Sequence, residues 1–203
     1  MRGSGFAGRW IAAAIGLALM ATPATAQFSD SYNFLKAVRD KDGAKVTEAV
    51  EKPGSTIINT KDYSTGETAL HIVVKRRDAQ WLSFLLAKGA NPNMRDGEGN
   101  TPMLTAAQLR FADGIQVLAD GKADVNGANG RGETPLIIAV QNRDSASVRI
   151  LLAAGANPKQ PDRVTGQSAR DYAAQDNRSE AILKMIDEAK PVKPKGAVAG
   201  PTL

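Results

Sequence analysis

The chain has 203 residues, 42% apolar content, no cysteine and a formal charge of +5. That length and composition suffice for a domain with its own core, and the missing cysteine excludes disulfides, thiolate catalysis and cysteine zinc sites. Acids and bases are intermixed rather than gathered into a basic patch, which argues against a nucleic-acid partner.

The first element is a leader. Arg2 and Arg9 precede an apolar run of 12 residues from Trp10 to Ala21; Thr22 and Pro23 break it, and Ala24-Thr25-Ala26 follows the small-x-small pattern of a cleavage site. Residues 1–26 therefore read as a secretory signal peptide cleaved after Ala26. The run falls short of the ~20 apolar residues that a spanning helix needs, so the membrane is expected to matter only during export. A short leader with two arginines predicts the periplasm as destination, with secretion to the medium as the alternative. Its removal leaves +3, the original +5 less two arginines.

A repeat governs the remainder. Gly66, Gly99, Gly132 and Gly166 are 33, 33 and 34 residues apart, and Thr68, Thr101, Thr134 and Ser168 follow the same steps. Ala90, Ala123 and Ala156 agree in another column, as do Asn93 and Asn126, with Lys159 in third place. In each unit a Gly-rich turn precedes a Thr or Ser able to cap a helix. Pro102 and Pro135 stand at the first helical position, where a missing N–H costs nothing. Small apolar residues such as Ala106, Ala107 and Ala139 follow. A second helix then carries an apolar stripe: Leu82, Phe84, Leu85 and Leu86; then Ile115, Val117 and Leu118; then Val148, Ile150, Leu151 and Leu152. Gly89 and Gly155 sit where a helix ends on a left-handed residue. One such unit cannot bury its own apolar face, so the units must stack into a solenoid.

Three full repeats are expected near 60–93, 94–126 and 127–159, within a domain spanning 28–189. An N-terminal capping unit, about 28–59, holds two short helical patterns, Phe34-Leu35-Ala37-Val38 and Val46-Ala49-Val50. A C-terminal unit, 160–189, closes with Ile182, Met185 and Ile186; Arg170, Asp171 and Lys184 replace apolar residues there, as suits an outer face in water. The Pro- and Lys-containing tail, 190–203, is expected to be disordered.

Thr68-Ala69-Leu70-His71 and Thr134-Pro135-Leu136-Ile137 resemble the ankyrin T-P-L-H signature, and the stretch from Leu85 to Asn93 resembles the closing half of that repeat. The resemblance implies an all-α ankyrin solenoid of helix-turn-helix units joined by β-hairpin-like turns. Three departures matter. Gly121 sits one place early, which puts Lys122 at the helix exit. Leu104 and Ile137 stand where the family prefers His. Arg77, Arg110 and Arg143 occupy the turn between helices where the family often has Gly; they read as a ladder along one edge, either a solvated ridge or a strip facing an acidic partner.

No catalytic constellation is visible. His71 is the only histidine, and reads as the structural His of the signature. Glu67, Glu98 and Glu133 recur on the turns as a solvated face, and the glycine-rich run 127–132 is a repeat turn rather than a phosphate loop. No enzyme activity, cofactor or metal is expected. The resemblance implies binding through the hairpin tips and the exposed side of the first helix. Carried onto this chain, those are Ser64, Thr65, Glu67, Gly97, Glu98, Asn100, Gly130, Arg131 and Glu133 at the tips, and Lys75, Arg76, Gln108, Leu109, Gln141 and Asn142 on the helices. Leu109, Arg76 and Arg131 are the anchor candidates. The expected function is that of a monomeric scaffold for an exported protein partner; the alternatives are an inhibitor or immunity-type protein, or a cell-wall or small-ligand binder.

Overall fold

The computed structural model describes residues 24–189, with side chains from Asp30 onward. Its helices are α1 (Ala24–Arg39), α2 (Gly43–Glu51), α3 (Ala69–Lys75), α4 (Ala79–Ala87), α5 (Pro102–Gln108), α6 (Ala112–Asp120), α7 (Pro135–Gln141), α8 (Ser145–Ala153), α9 (Ala169–Gln175) and α10 (Glu180–Glu188). Single 3-10 turns occupy Ile57–Asn59 and Asn177–Ser179. Among the described residues there is no strand; one isolated antiparallel bridge joins Pro161 to Ser168. The fold is an all-helical ankyrin-type solenoid. The leader's basic start and apolar run, and the tail, lie outside the described residues.

Capping explains where the helices begin. Thr101 Oγ1 accepts from Leu104 N at 3.3 Å and Thr134 Oγ1 from Ile137 N at 3.2 Å, each followed by proline at the first position. Thr68 with His71, and Ser168 with Asp171, form reciprocal capping boxes. The outer helices α2, α4 and α8 are capped by the carboxylates of Asp42, Asp78 and Asp144. Phe111 holds that place before α6 and offers no side-chain cap.

The inner helices α1, α3, α5, α7 and α9 pack in one row, and the outer helices α4, α6, α8 and α10 in a second. Between the rows lie two columns at the repeat period, Leu82–Ile115–Val148 and Leu85–Leu118–Leu151, every member fully buried. Burying each such side chain contributes about 2 kcal/mol, and every one rests on neighbours in adjacent units. The inner helices are short and rich in small residues; Val73, Ala106, Ala107 and Ala139 are all fully buried, which lets the backbones approach closely.

Two features differ from the sequence expectation. Helix α1 runs 16 residues, more than twice the seven of each other inner helix, and starts at Ala24, within the last three residues of the expected leader. The misplaced glycine leaves the exit from α6 unchanged. Gly121 keeps an ordinary φ of −77°, and Lys122 itself turns left-handed at φ +62°. The closing bond Ala123 N to Leu118 O, 2.9 Å, matches Ala90 N to Leu85 O at 3.0 Å and Ala156 N to Leu151 O at 2.9 Å. The tight exit is kept at the cost of a strained lysine. Lys122→Gly should therefore raise stability by about 1 kcal/mol, read as a higher urea midpoint at unchanged m. An unmoved or lowered midpoint would show that the lysine side chain compensates the strain.

Candidate protein-binding face

The hairpins between units are built on one recurring side chain. Asp62, Asp96, Asn129 and Asp162 each open a hairpin with a backbone bond across it, to Glu67, Asn100, Glu133 and Gln167 carbonyls at 2.8 to 3.0 Å. The same residue's Oδ1 then turns back into the tip. Asp62 accepts there from Ser64 and Thr65 N, Asp96 from Glu98 and Asn100 N, Asn129 from Arg131 and Glu133 N, and Asp162 from Val164 and Thr165 N. Bonds from the Ser64 hydroxyl and Arg39 hold Asp62 well below the usual carboxylate range; the Thr165 backbone and hydroxyl and the Tyr172 hydroxyl do so for Asp162. Sequence reasoning passed over these four anchors in favour of the turn glutamates. The signal was available: an Asp or Asn three or four residues before each turn glycine.

Successive hairpins are tied edge to edge. Gly97 N donates to Thr65 O at 2.8 Å and Arg163 N to Arg131 O at 2.8 Å, while Arg95 bridges Gly99 O and Ala128 O at 2.7 Å each. Behind them, Asn59, Asn93 and Asn126 accept through Oδ1 from Asn91, Asp124 and Asn157 N at 2.7 to 2.8 Å. The asparagine column is thus a bond from each unit to the next.

The arginine ladder does the same. Lys41, Arg77, Arg110 and Arg143 all have left-handed backbone, φ +53° to +59°, which explains why the family often uses Gly there. Lys41 pairs with Asp78 at 3.0 Å and Arg143 with Asp176 at 3.2 Å. Arg77 donates to Leu109 O at 3.0 Å and lies 5.5 Å over the Phe111 ring. Lys41 and Arg143 thus meet carboxylates of the next unit, whereas Arg77 meets the Phe111 ring in a cation–π contact. Three of the ladder's four members, Lys41, Arg77 and Arg143, staple unit to unit.

Of the expected contact residues, Ser64, Thr65, Glu98, Arg131, Lys75, Gln108, Leu109 and Gln141 are exposed. Others are committed to the fold. Asn100 is 5% exposed, its amide donating to Glu98 and its Oδ1 accepting from Gln108. Arg76, expected as an anchor, is half-buried and turned back to Val38 O at 2.8 Å, beside the Trp81 ring. Asn142 is half-buried and donates to Ala107 O at 3.2 Å. Glu67 pairs with Lys75, whose ammonium it stabilises, and Glu133 takes Arg131 bidentately at 2.9 and 3.1 Å. Leu109 occupies the same column as Arg76 and Asn142. It cannot bridge to the preceding unit, and it stands 37% exposed. Sequence reasoning missed Tyr63 and Val164, 93% and 71% exposed. They lie on the first and last tips, where three residues instead of two separate the anchor from the turn glycine.

Two grooves, of about 590 Å³ between α1, α2 and the Ile57–Asn59 turn and about 540 Å³ beside α8, α9 and α10, lie at the two ends of the stack. Among the described residues no cluster of three His, Asp or Glu could hold a metal ion, and no helix is long and apolar enough to cross a membrane. A bonded framework with a variable exposed surface is that of a repeat solenoid acting as a protein-interaction scaffold.

The chain belongs to the ankyrin-repeat family. A family model described as "Ankyrin repeats (3 copies)" matches residues 34–129, and one described as "Ankyrin repeats (many copies)" matches 117–173. Similar proteins include an L-asparaginase of Dirofilaria immitis, 45% identical over 56 residues, which are 28% of this chain and 9% of that protein. The nuclear factor NF-kappa-B p110 subunit of Drosophila melanogaster is 28% identical over 65 residues, 32% of this chain and 7% of that protein. A Borreliella burgdorferi protein named for its ankyrin repeats is 34% identical over 67 residues, 28% of this chain and 16% of that protein. The matches thus span between 7% and 16% of these relatives' own length.

Proposed function

We propose that the chain is a non-catalytic scaffold of the periplasm that holds an exported protein partner against its hairpin tips and the exposed side of its inner helices. The observation that carries this reading is the contrast between framework and surface. Polar side chains at the inner-helix ends bond to the neighbouring unit at Arg76 and Asn142, but at Leu109 between them an aliphatic side chain stands in solvent. Leu109, exposed among polar neighbours, and Arg131, exposed on the tip of the following unit, offer a partner an apolar and a cationic contact. Periplasmic placement is supported by the Arg2 and Arg9 start, the apolar run and the Ala24-Thr25-Ala26 site.

The test begins with the osmotic-shock fraction, where the chain should be recovered starting at Gln27. Used there as bait, it should retain a protein partner that the double variant Leu109→Asp, Arg131→Glu releases, with affinity at least about 30-fold weaker and circular dichroism unchanged. Retention by the folded double variant would refute this face, and binding to purified peptidoglycan alone would refute a protein partner.

A further inference from the structure

The ladder Lys41, Arg77, Arg110, Arg143 divides in two. Its ends meet carboxylates, Lys41 on Asp78 and Arg143 on Asp176. Its middle members, Arg77 and Arg110, form no ion pair among the described residues, not even with Asp113 three residues beyond Arg110. The two cations belong to one turn, because the Arg77 guanidinium reaches Leu109 O at 3.0 Å and Arg110 O at 3.3 Å. Gln108, Leu109 and Arg110 are all exposed there.

Arg110 is the telling residue. At φ +53° its backbone is one that glycine adopts without strain. Lys41, Arg77 and Arg143 offset the same strain with side-chain bonds into the next unit. The Arg110 side chain makes no such bond among the described residues, although Asp144 caps the next outer helix. That carboxylate is 7% exposed and is taken up by Ser147 N and Oγ. A strained arginine with nothing to hold, beside an exposed leucine and a second guanidinium, lacks a counter-charge that a partner can bring.

We propose that the Gln108-Leu109-Arg110 turn anchors the partner, and that it takes a peptide segment in which an Asp or Glu stands beside a bulky apolar side chain. The carboxylate neutralises Arg110 next to Arg77, and the apolar group covers Leu109. A free inorganic anion would leave Leu109 in water, whereas a polypeptide supplies both groups at once. The inference rests on the protein-binding reading above and names the chemistry of what is bound.

A random-peptide display library, panned on the chain starting at Gln27, tests it. The enriched sequences should carry Asp or Glu within two residues of Leu, Ile, Met or Phe. A synthetic peptide from that set should bind Arg110→Gly about tenfold more weakly than the unsubstituted chain, the scale of one charge-assisted contact, and more weakly as salt rises. Because glycine suits the turn, that variant should unfold at the same or higher urea concentration, so the loss cannot be misfolding. Enriched peptides without acid, or equal binding to Arg110→Gly, overturn the inference. If binding survives Arg110→Gly but is lost on Gln141→Lys, the anchor is wrong and the broader face stands. Peptides indifferent to both substitutions, or no enrichment at all, sink both readings.

Discussion

Gly66→Ala is expected to destabilise the chain by about 3 kcal/mol, although Gly66 sits in an exterior hairpin and touches no apolar core. Two terms add. Gly66 has φ +69°, and alanine in left-handed backbone costs about 1–2 kcal/mol. Its Cβ would also stand 2.5 Å from Gly97 N and 3.1 Å from the Asp96 carbonyl carbon. These atoms are backbone and cannot swing away, so the hairpins must part and the bond from Gly97 N to Thr65 O is lost, for about 1–2 kcal/mol more. Gly166→Ala separates the terms: its φ is +71°, yet nothing lies within 4 Å of a Cβ there, so only the conformational cost of about 1–2 kcal/mol applies. Urea unfolding of both variants reads the difference. Since units are coupled only to their neighbours, Gly66→Ala should also broaden the transition as the N-terminal unit uncouples. Equal losses from the two substitutions would mean that the hairpins do not bear on one another as the 2.8 Å bond requires.

The repeat frame was legible because the core columns recur at the period of the sequence; Leu85, Leu118 and Leu151 could be buried only by stacking. Helix starts were legible because capping is local. The direction of the polar side chains was not. Arg76 and Asn142 looked like surface residues since each lies one place beyond an inner helix, but what they bond to is a carbonyl 38 or 35 residues earlier, Val38 O or Ala107 O. Asn100 follows a turn glycine and reads as a tip residue, yet Asp96 Oδ1 accepts from its N–H and draws it inward. The arginine column showed its period but not its purpose, because its partners are the cap residues of the next unit. The exposed middle of that column, Leu109 and Arg110, emerges only once its bonded neighbours are subtracted.

The single histidine should make the stability of this chain depend on pH in a window where its carboxylates do not titrate. His71 is fully buried at the start of α3. Thr68 N–H donates to its Nδ1 at 3.2 Å, and the Thr68 hydroxyl lies 2.9 Å from the same atom. The proton is therefore assigned to Nε2, which donates to Asn100 O across the hairpin at 3.0 Å. Burial pushes the imidazole below its usual pKa, against smaller opposing effects from the Asn100 bond and from Asp96 and Glu67. The unfolded chain thus binds this proton more readily than the folded one. Stability is full above about pH 6.5 and declines as pH falls below it, by at most about 1.4 kcal/mol per pH unit, until the folded ring itself titrates. Between about pH 6.5 and 5 the loss belongs to His71, since carboxylates ordinarily titrate lower. His71→Leu separates charge from packing. Leu104 and Ile137 fill the matching positions fully buried, and Asn100 O keeps its bond from Asp96 N at 2.9 Å. The leucine variant should lose only about 1 kcal/mol at pH 8, and its stability should stay flat down to about pH 5. His71→Ala, which also opens a cavity, should lose about 3 kcal/mol. Urea midpoints at a series of pH values decide the matter. A leucine variant that declines in parallel with the unsubstituted chain would show that the titrating group is not this imidazole, and that burial does not hold the ring neutral.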